Sequence, residues 1–159
     1  MSLPMILAGL HSRGIDATLH IHGAGDAVDR LRSIELEGLV ITDSIDHDII
    51  ASKLSTYDVG LLPMPGTKVW SLASPLKRSE YLASGMVVCG IDHTGHQIEG
   101  SGDWLQLFTQ REFITSTVDW IANLDRSKLQ SLQKQSRDYA EENLSWSHSV
   151  DALESMILS

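Results

Sequence analysis

Ser74-Pro75-Leu76-Lys77-Arg78-Ser79-Glu80-Tyr81-Leu82-Ala83-Ser84-Gly85 runs straight into Met86-Val87-Val88-Cys89-Gly90. The first part carries the marks of a helix: a serine suited to the N-cap, a proline at the first helical position and a glycine where a helix stops. The second part is a short apolar run without alternation, as expected of a strand covered on both faces. Outward from this unit the same grammar recurs. Ala17–His22 predicts a strand ended by Gly23-Ala24-Gly25, and Leu39–Thr42 and Val59–Leu62 predict two more. Between them Asp26–Ser33 and the stripe Ile45, Ile49, Ile50, Leu54 predict helices, and Leu3, Ile6, Leu7 and Leu10 form a helical stripe closed by Gly14. Downstream, Trp104–Phe108 predicts an edge strand, followed by helices over Arg111–Leu124, Lys128–Asn143 and Ser147–Leu158. Short apolar strands alternating with helices predict an α/β fold, a Rossmann-like parallel sheet with helices on both faces.

The 159 residues show no repeat, low-complexity tract or linker, and residues 1–159 are expected to form a single domain. The net charge of −9 argues against a nucleic-acid surface, whose affinity comes largely from cations. No apolar run approaches the ~20 residues of a membrane span, and Met1–Leu10 lacks the basic leader and cleavage site of a secretory signal. Cys89 is the single cysteine, so it supports neither an internal disulfide nor a cysteine-only zinc site, and it reads as core. A cytoplasmic protein is the expectation, with a peripheral place at the inner membrane face left open for a full-length form.

The helix opening at Pro75 breaks a local rule. Its first turn holds Lys77 and Arg78, two cations where the helix dipole is already positive. A bound anion reverses that penalty: the Leu76 and Lys77 amides, the dipole and the Lys77 ammonium would converge on a phosphate. The plainer alternative is that both cations extend into solvent or pair with Glu80. Glu80 lies one turn on, suited to the two hydroxyls of a ribose or to a surface pair with Lys77. Gly23-Ala24-Gly25 is only part of a dinucleotide fingerprint, since Val28 stands at its third glycine, so a dehydrogenase is not expected. It suits either a close backbone approach to a ligand or a tight turn. His20 and His22 could chelate a metal, with His93 and His96 in a later loop, but no carboxylate set accompanies them. Hydrogen-bonded, partly buried histidines are the expectation, and no metal is called for. Asp46-His47-Asp48 is read as the start of a helix.

These segments resemble the C-terminal domain of the two-domain GT-B glycosyltransferases, the large group 1 family that uses sugar nucleotides. Leu19–Gly25 looks like the family's strand ending in Gly-x-Gly, and Tyr57–Pro63 like its Asp-Val-x-x-x-Pro strand. Ser74–Val88 is very similar to its Ser-Pro-x-Lys-x-x-Glu-Tyr-x-Ala-x-Gly-x-Pro-Val segment, and Ser145-Trp146 resembles the pair opening its last helix. The resemblance implies a retaining-type transferase taking a sugar from a nucleotide-diphosphate donor, without a metal or other cofactor. It implies donor contacts at Gly23, Gly25, Thr42, Ser74, Pro75, Leu76, Lys77 and Glu80: the diphosphate on the turn at Pro75, the ribose on Glu80, the base near Thr42 and Asp43. Lys77 takes the catalytic role of stabilising the leaving diphosphate. The acceptor would sit on an N-terminal domain absent from this sequence, so the chain alone is expected to be inactive.

Two departures follow. Many members carry a second glutamate eight positions before the ribose one, where this chain has Leu72, and this leaves sugar and stereochemistry open. Members also open the domain with a strand and a loop bearing an arginine and a lysine, and nothing before Pro4 supplies them. That strand would lie mid-sheet, between Leu19–His22 and Val59–Leu62. The expectation is that these two strands close up on each other or that a second chain fills the gap. The alternatives weighed are a non-catalytic binding or regulatory domain of flavodoxin-like shape, a sugar-nucleotide epimerase half, and a phosphorylase half with a pyridoxal-binding lysine.

Overall fold

The computed structural model describes the chain except residues 1, 73–75, 146, 148–149, 151–152, 155 and 158–159, and except the side chains of His47 and Asp48. Its element order is α1 (Ser2–Ser12), β1 (Leu19–His22), α2 (Asp26–Arg32), β2 (Leu39–Thr42), α3 (His47–Leu54), β3 (Val59–Leu62), α4 (Lys68–Leu72), α5 (Leu76–Ala83), β4 (Val87–Ile91), β5 (Leu105–Phe108), α6 (Phe113–Ala122) and α7 (Arg126–Asn143). The fold is α/β and Rossmann-like: every strand pair is parallel and helices flank the sheets. Ser74, Pro75 and Trp146 lie outside the described residues, as does half of the helix expected over Ser147–Leu158.

Strand β4 anchors the structure. All five of its residues are buried, as its unalternating apolar run requires of a central parallel strand. It pairs with β3 on one side and β5 on the other, so β5 is an edge, as is β3. On one face of this sheet lies the cluster of Leu62, Leu82, Val88, Trp104, Leu105, Leu132 and Ala140, which brings in α5 and α7. On the other, Cys89 and Ile91 meet Ile6 and Leu10 of α1 and Phe113 and Val118 of α6. Helices α1 and α6 cross closely because position 9 is glycine: a β-carbon there would lie 2.8 Å from Cγ2 of Val118. Asp125 caps α7, its Oδ1 accepting from the Lys128 amide at 2.7 Å.

The segment after Pro65 holds the short helix α4, Lys68–Leu72, with no buried residue. Two expectations are corrected. Arg78 neither extends into solvent nor pairs with Glu80. It is 8% exposed, and its Nη1 donates to the Gly95 and Gln97 carbonyls at 3.0 and 2.9 Å. A guanidinium on the inner side of α5 finds the carbonyls of the loop after β4 through its Nη1, while its buried Nε has no hydrogen-bond partner. Finally, β1 and β3 have not closed up. β1 and β2 form a two-stranded sheet of their own, and β3 pairs only with β4. Leu3 of α1 lines the space beside both strands.

Candidate functional site

That space is a concavity. A cavity of about 530 Å³ runs between β1 and β3, within the range of small-molecule sites. One wall is Thr18–His22 and the other Val59–Leu62. Beyond the carboxyl ends of the strands it is bordered by Ser44 and Ile45 after β2, Pro63 and Met64 after β3, and Lys77, Glu80 and Tyr81 of α5. A second cavity of about 490 Å³ lies on the α1 side of the same gap, lined by Leu3, Ile6, Leu7 and Leu10 together with Leu19, Val59 and Leu61.

Local chemistry explains how the side chains reach this place. Helix α5 follows the strand β3 and packs on β3 and β4, so its first turn stands at the strand ends, where open α/β sheets take ligands. Its inner face is held by buried Leu82 and Arg78. Its outer face turns Lys77 and Glu80 to the cavity, where Lys77 Nζ lies 3.1 Å from Glu80 Oε2. Lys77 is 60% exposed and Glu80 32%. The surface pair weighed against the phosphate and ribose roles therefore exists, and it stands on the cavity wall.

The opposite wall is a relay of polar rings. His22 Nδ1 lies 2.6 Å from Thr42 Oγ1, and its Nε2 lies 2.8 Å from Tyr57 Oη. Burial, then the Lys53 and His20 charges, lower the His22 pKa below its usual value, and a neutral ring has one donor and one acceptor nitrogen, matching two hydroxyls that can take either role. Tyr57 also stacks on His20, ring centroids 4.8 Å apart. His20 itself is exposed rather than partly buried, because the strand beside it is not covered by a neighbour. Among the described residues no group of three or more His, Cys, Asp or Glu is placed to hold a metal ion.

The other residues singled out from sequence stand around the cavity rather than on its wall. The Thr42 hydroxyl is engaged by His22, and the Thr42 carbonyl accepts from the Gly23 amide at 3.1 Å. Gly25 opens α2 with φ 103°, a conformation that requires glycine. Asp43 pairs with Arg32 at 2.5 Å. Leu76 is 66% exposed at the start of α5, and Leu72 is 77% exposed in α4. Ser44, Tyr57 and Met64 border the cavity but carry no signal in the sequence, because each reaches it only through the packing of β1, β2 and β3. No protein-family model matches the chain, and no curated protein matches it either.

Among the described residues no helix is long and apolar enough to cross a membrane.

Proposed function

We propose that the chain is the donor-binding half of a retaining-type glycosyltransferase, which moves a sugar from a nucleotide-diphosphate donor to an acceptor held by a separate N-terminal domain. The observation that carries this reading is the position of Lys77 and Glu80, one turn apart, on the wall of a cavity at the carboxyl ends of parallel strands. In it, the Lys77 ammonium and the Leu76 and Lys77 amides take the diphosphate, with Ser74 and Pro75, the residues just before them in sequence, as further donor contacts. Glu80 accepts the ribose hydroxyls. Gly23, Gly25 and Thr42 border the nucleotide, with the base toward Thr42 and Asp43.

The Lys77–Glu80 pair does not oppose this. A half-exposed pair contributes at most about 1 kcal/mol, less than charge-assisted contacts between the ammonium and a diphosphate would return. Lys77 is then bridged between two anionic groups, and Glu80 is oriented before the ribose arrives. The reading needs no metal, since ammonium and helix dipole offset the leaving-group charge. It places the enzyme in the cytoplasm, where a lone reduced thiol such as Cys89 is the norm.

Amide-resolved NMR titration with uridine and guanosine diphosphate tests this, because it registers millimolar affinities. Shifts are expected at Leu76, Lys77 and Glu80. Uridine or guanosine alone should be at least about tenfold weaker, and Lys77→Ala should cost a similar factor. Shifts that ignore the diphosphate, or none up to millimolar nucleotide, would refute the reading.

A further inference from the structure

Loop 92–97, which follows β4, closes over two histidine rings. His93 and His96 are both buried, and their ring centroids lie 3.8 Å apart. His96 Nδ1 donates to the Ile91 carbonyl at 2.6 Å, so a proton added to this ring goes to Nε2. Both nitrogens of His93 are buried and without a hydrogen-bond partner, as is Nε of Arg78. Such orphans are rare in folded chains, and water would satisfy all three once the loop swings out. Bonds holding the loop closed run from Arg78 Nη1 to the Gly95 and Gln97 carbonyls, from Gln97 Nε2 to Asp92 Oδ1 at 2.8 Å, and from the His96 and Gln97 amides to the His93 carbonyl. Facing His96 are His93 and Asp92 of its own loop and Arg78 of α5, and Tyr139 of α7 faces Arg78. Segment 63–66 and β5 bring no titratable group. Burial, with the His93 and Arg78 charges behind it, keeps the His96 pKa below 6.5 against the raising effects of the Ile91 carbonyl and Asp92. Asp92 is exposed and engaged by Gln97, so solvent screens it and it is a poor counter-ion for a charge on the buried rings.

We propose that His93, His96 and Arg78 form a proton-operated latch, which holds loop 92–97 closed while both rings are neutral and releases it when the pair takes up a proton. A proton on either ring sets two cations, imidazolium and guanidinium, in one dry cluster. The open loop carries both rings into water, where the charged form is at no disadvantage. Release also withdraws His93 from segment 63–66, where a β-carbon on Gly66 would lie 3.5 Å from Cβ of His93. Pro63 and Met64 of that segment border the cavity beside β3. The latch itself stands apart from the proposed function, because none of its three side chains lines either cavity.

Amide hydrogen exchange on the whole chain, followed by NMR between about pH 7.5 and 5.5, tests this. An open loop with an ordinary histidine gains up to about tenfold in population for each pH unit below 6.5 and each proton bound. Protection at the His96 and Gln97 amides should therefore fall about tenfold. It should also sit at least about tenfold below that of the Val87 and Val88 amides, which donate to the Asp58 and Trp104 carbonyls. The Gly66 amide signal should shift with the same midpoint. His93→Phe with His96→Gln keeps a ring in the stack and a donor for the Ile91 carbonyl, removes both proton sites, and should flatten the pH profile. Protection at His96 and Gln97 that does not change across this range would overturn the proposal. Protection equal to that of Val87 and Val88 would do so too, since the loop would then open only with the whole fold. An equal loss in the doubly substituted chain, or a Gly66 signal that stays fixed, would overturn it as well.

Discussion

Tyr57 Oη lies 2.8 Å from Nε2 of His22 and ties the start of β3 to the end of β1 across the open gap. With Thr42 on the other nitrogen, the ring is held neutral, and burial, Lys53 and His20 depress its pKa from 6.5. His96 is depressed from 6.5 as well, chiefly by burial, against the raising effect of its bond to the Ile91 carbonyl. The unfolded chain therefore takes up protons near pH 6.5 that the native state refuses. Unfolding free energy should be at its full value above that pH and fall as pH drops below it toward the native pKa values. NMR titration should give both rings midpoints under 6.5. A denaturation midpoint that holds steady or rises between about pH 6.5 and 5 contradicts this.

Gly60 lies under the Tyr81 ring, and a β-carbon on it would come within 2.3 Å of Cδ2. The ring is held between α5 and β3, so it cannot swing clear without disturbing the cavity wall. Gly60→Ala should cost about 1–3 kcal/mol by overpacking and lower the melting temperature by several degrees. Tyr81→Leu in the same chain should recover part of that loss, as a positive coupling in a double-mutant cycle. Additive effects would show that the two residues do not meet.

Arg78 pins the loop after β4 through its bonds to the carbonyls of Gly95 and Gln97. Arg78→Met keeps the stem of the side chain and removes both donors, leaving two carbonyls short of partners. We expect a loss of about 1–3 kcal/mol and faster hydrogen exchange at the His96 and Gln97 amides, which donate to the His93 carbonyl. Unchanged exchange there would mean that the loop holds itself.

Lys77 and Glu80 should matter little to stability. Their pair is exposed enough that Lys77→Ala or Glu80→Gln should change unfolding free energy by less than about 1 kcal/mol. On the proposed function, the same substitutions separate in binding: Lys77→Ala weakens every nucleoside diphosphate alike, whereas Glu80→Gln weakens ribose nucleotides more than their deoxyribose counterparts that lack a hydroxyl. Calorimetric titration beside urea denaturation of the same samples reads both. A large stability loss with unchanged binding would make the pair structural.

Much of the architecture is legible in the chain because it rests on local rules. The run Met86–Gly90 has no alternation and becomes a strand buried at every position. The stripe Ile6, Leu7 and Leu10 becomes the buried face of α1. The short α4 was not legible, since Lys68–Leu72 has no buried face to impose a period. Arg78 was misjudged for a different reason: a cation in a first turn looks exposed until the loop carbonyls that accept from it are known. Lys77 and Glu80 were legible as a pair, and their place on the cavity wall was not.

Strand, helix and stop signals follow from the torsional preferences and polarity of neighbouring residues, so the sequence alone determined the five strands, most of the helices, and that the strands are parallel. The separation of β1 from β3, the Thr42–His22–Tyr57 relay and the burial of Arg78 depend on residues at least 17 positions apart meeting in space. Those contacts come from how α1, β1 and β3 pack, and only the tertiary structure decided them.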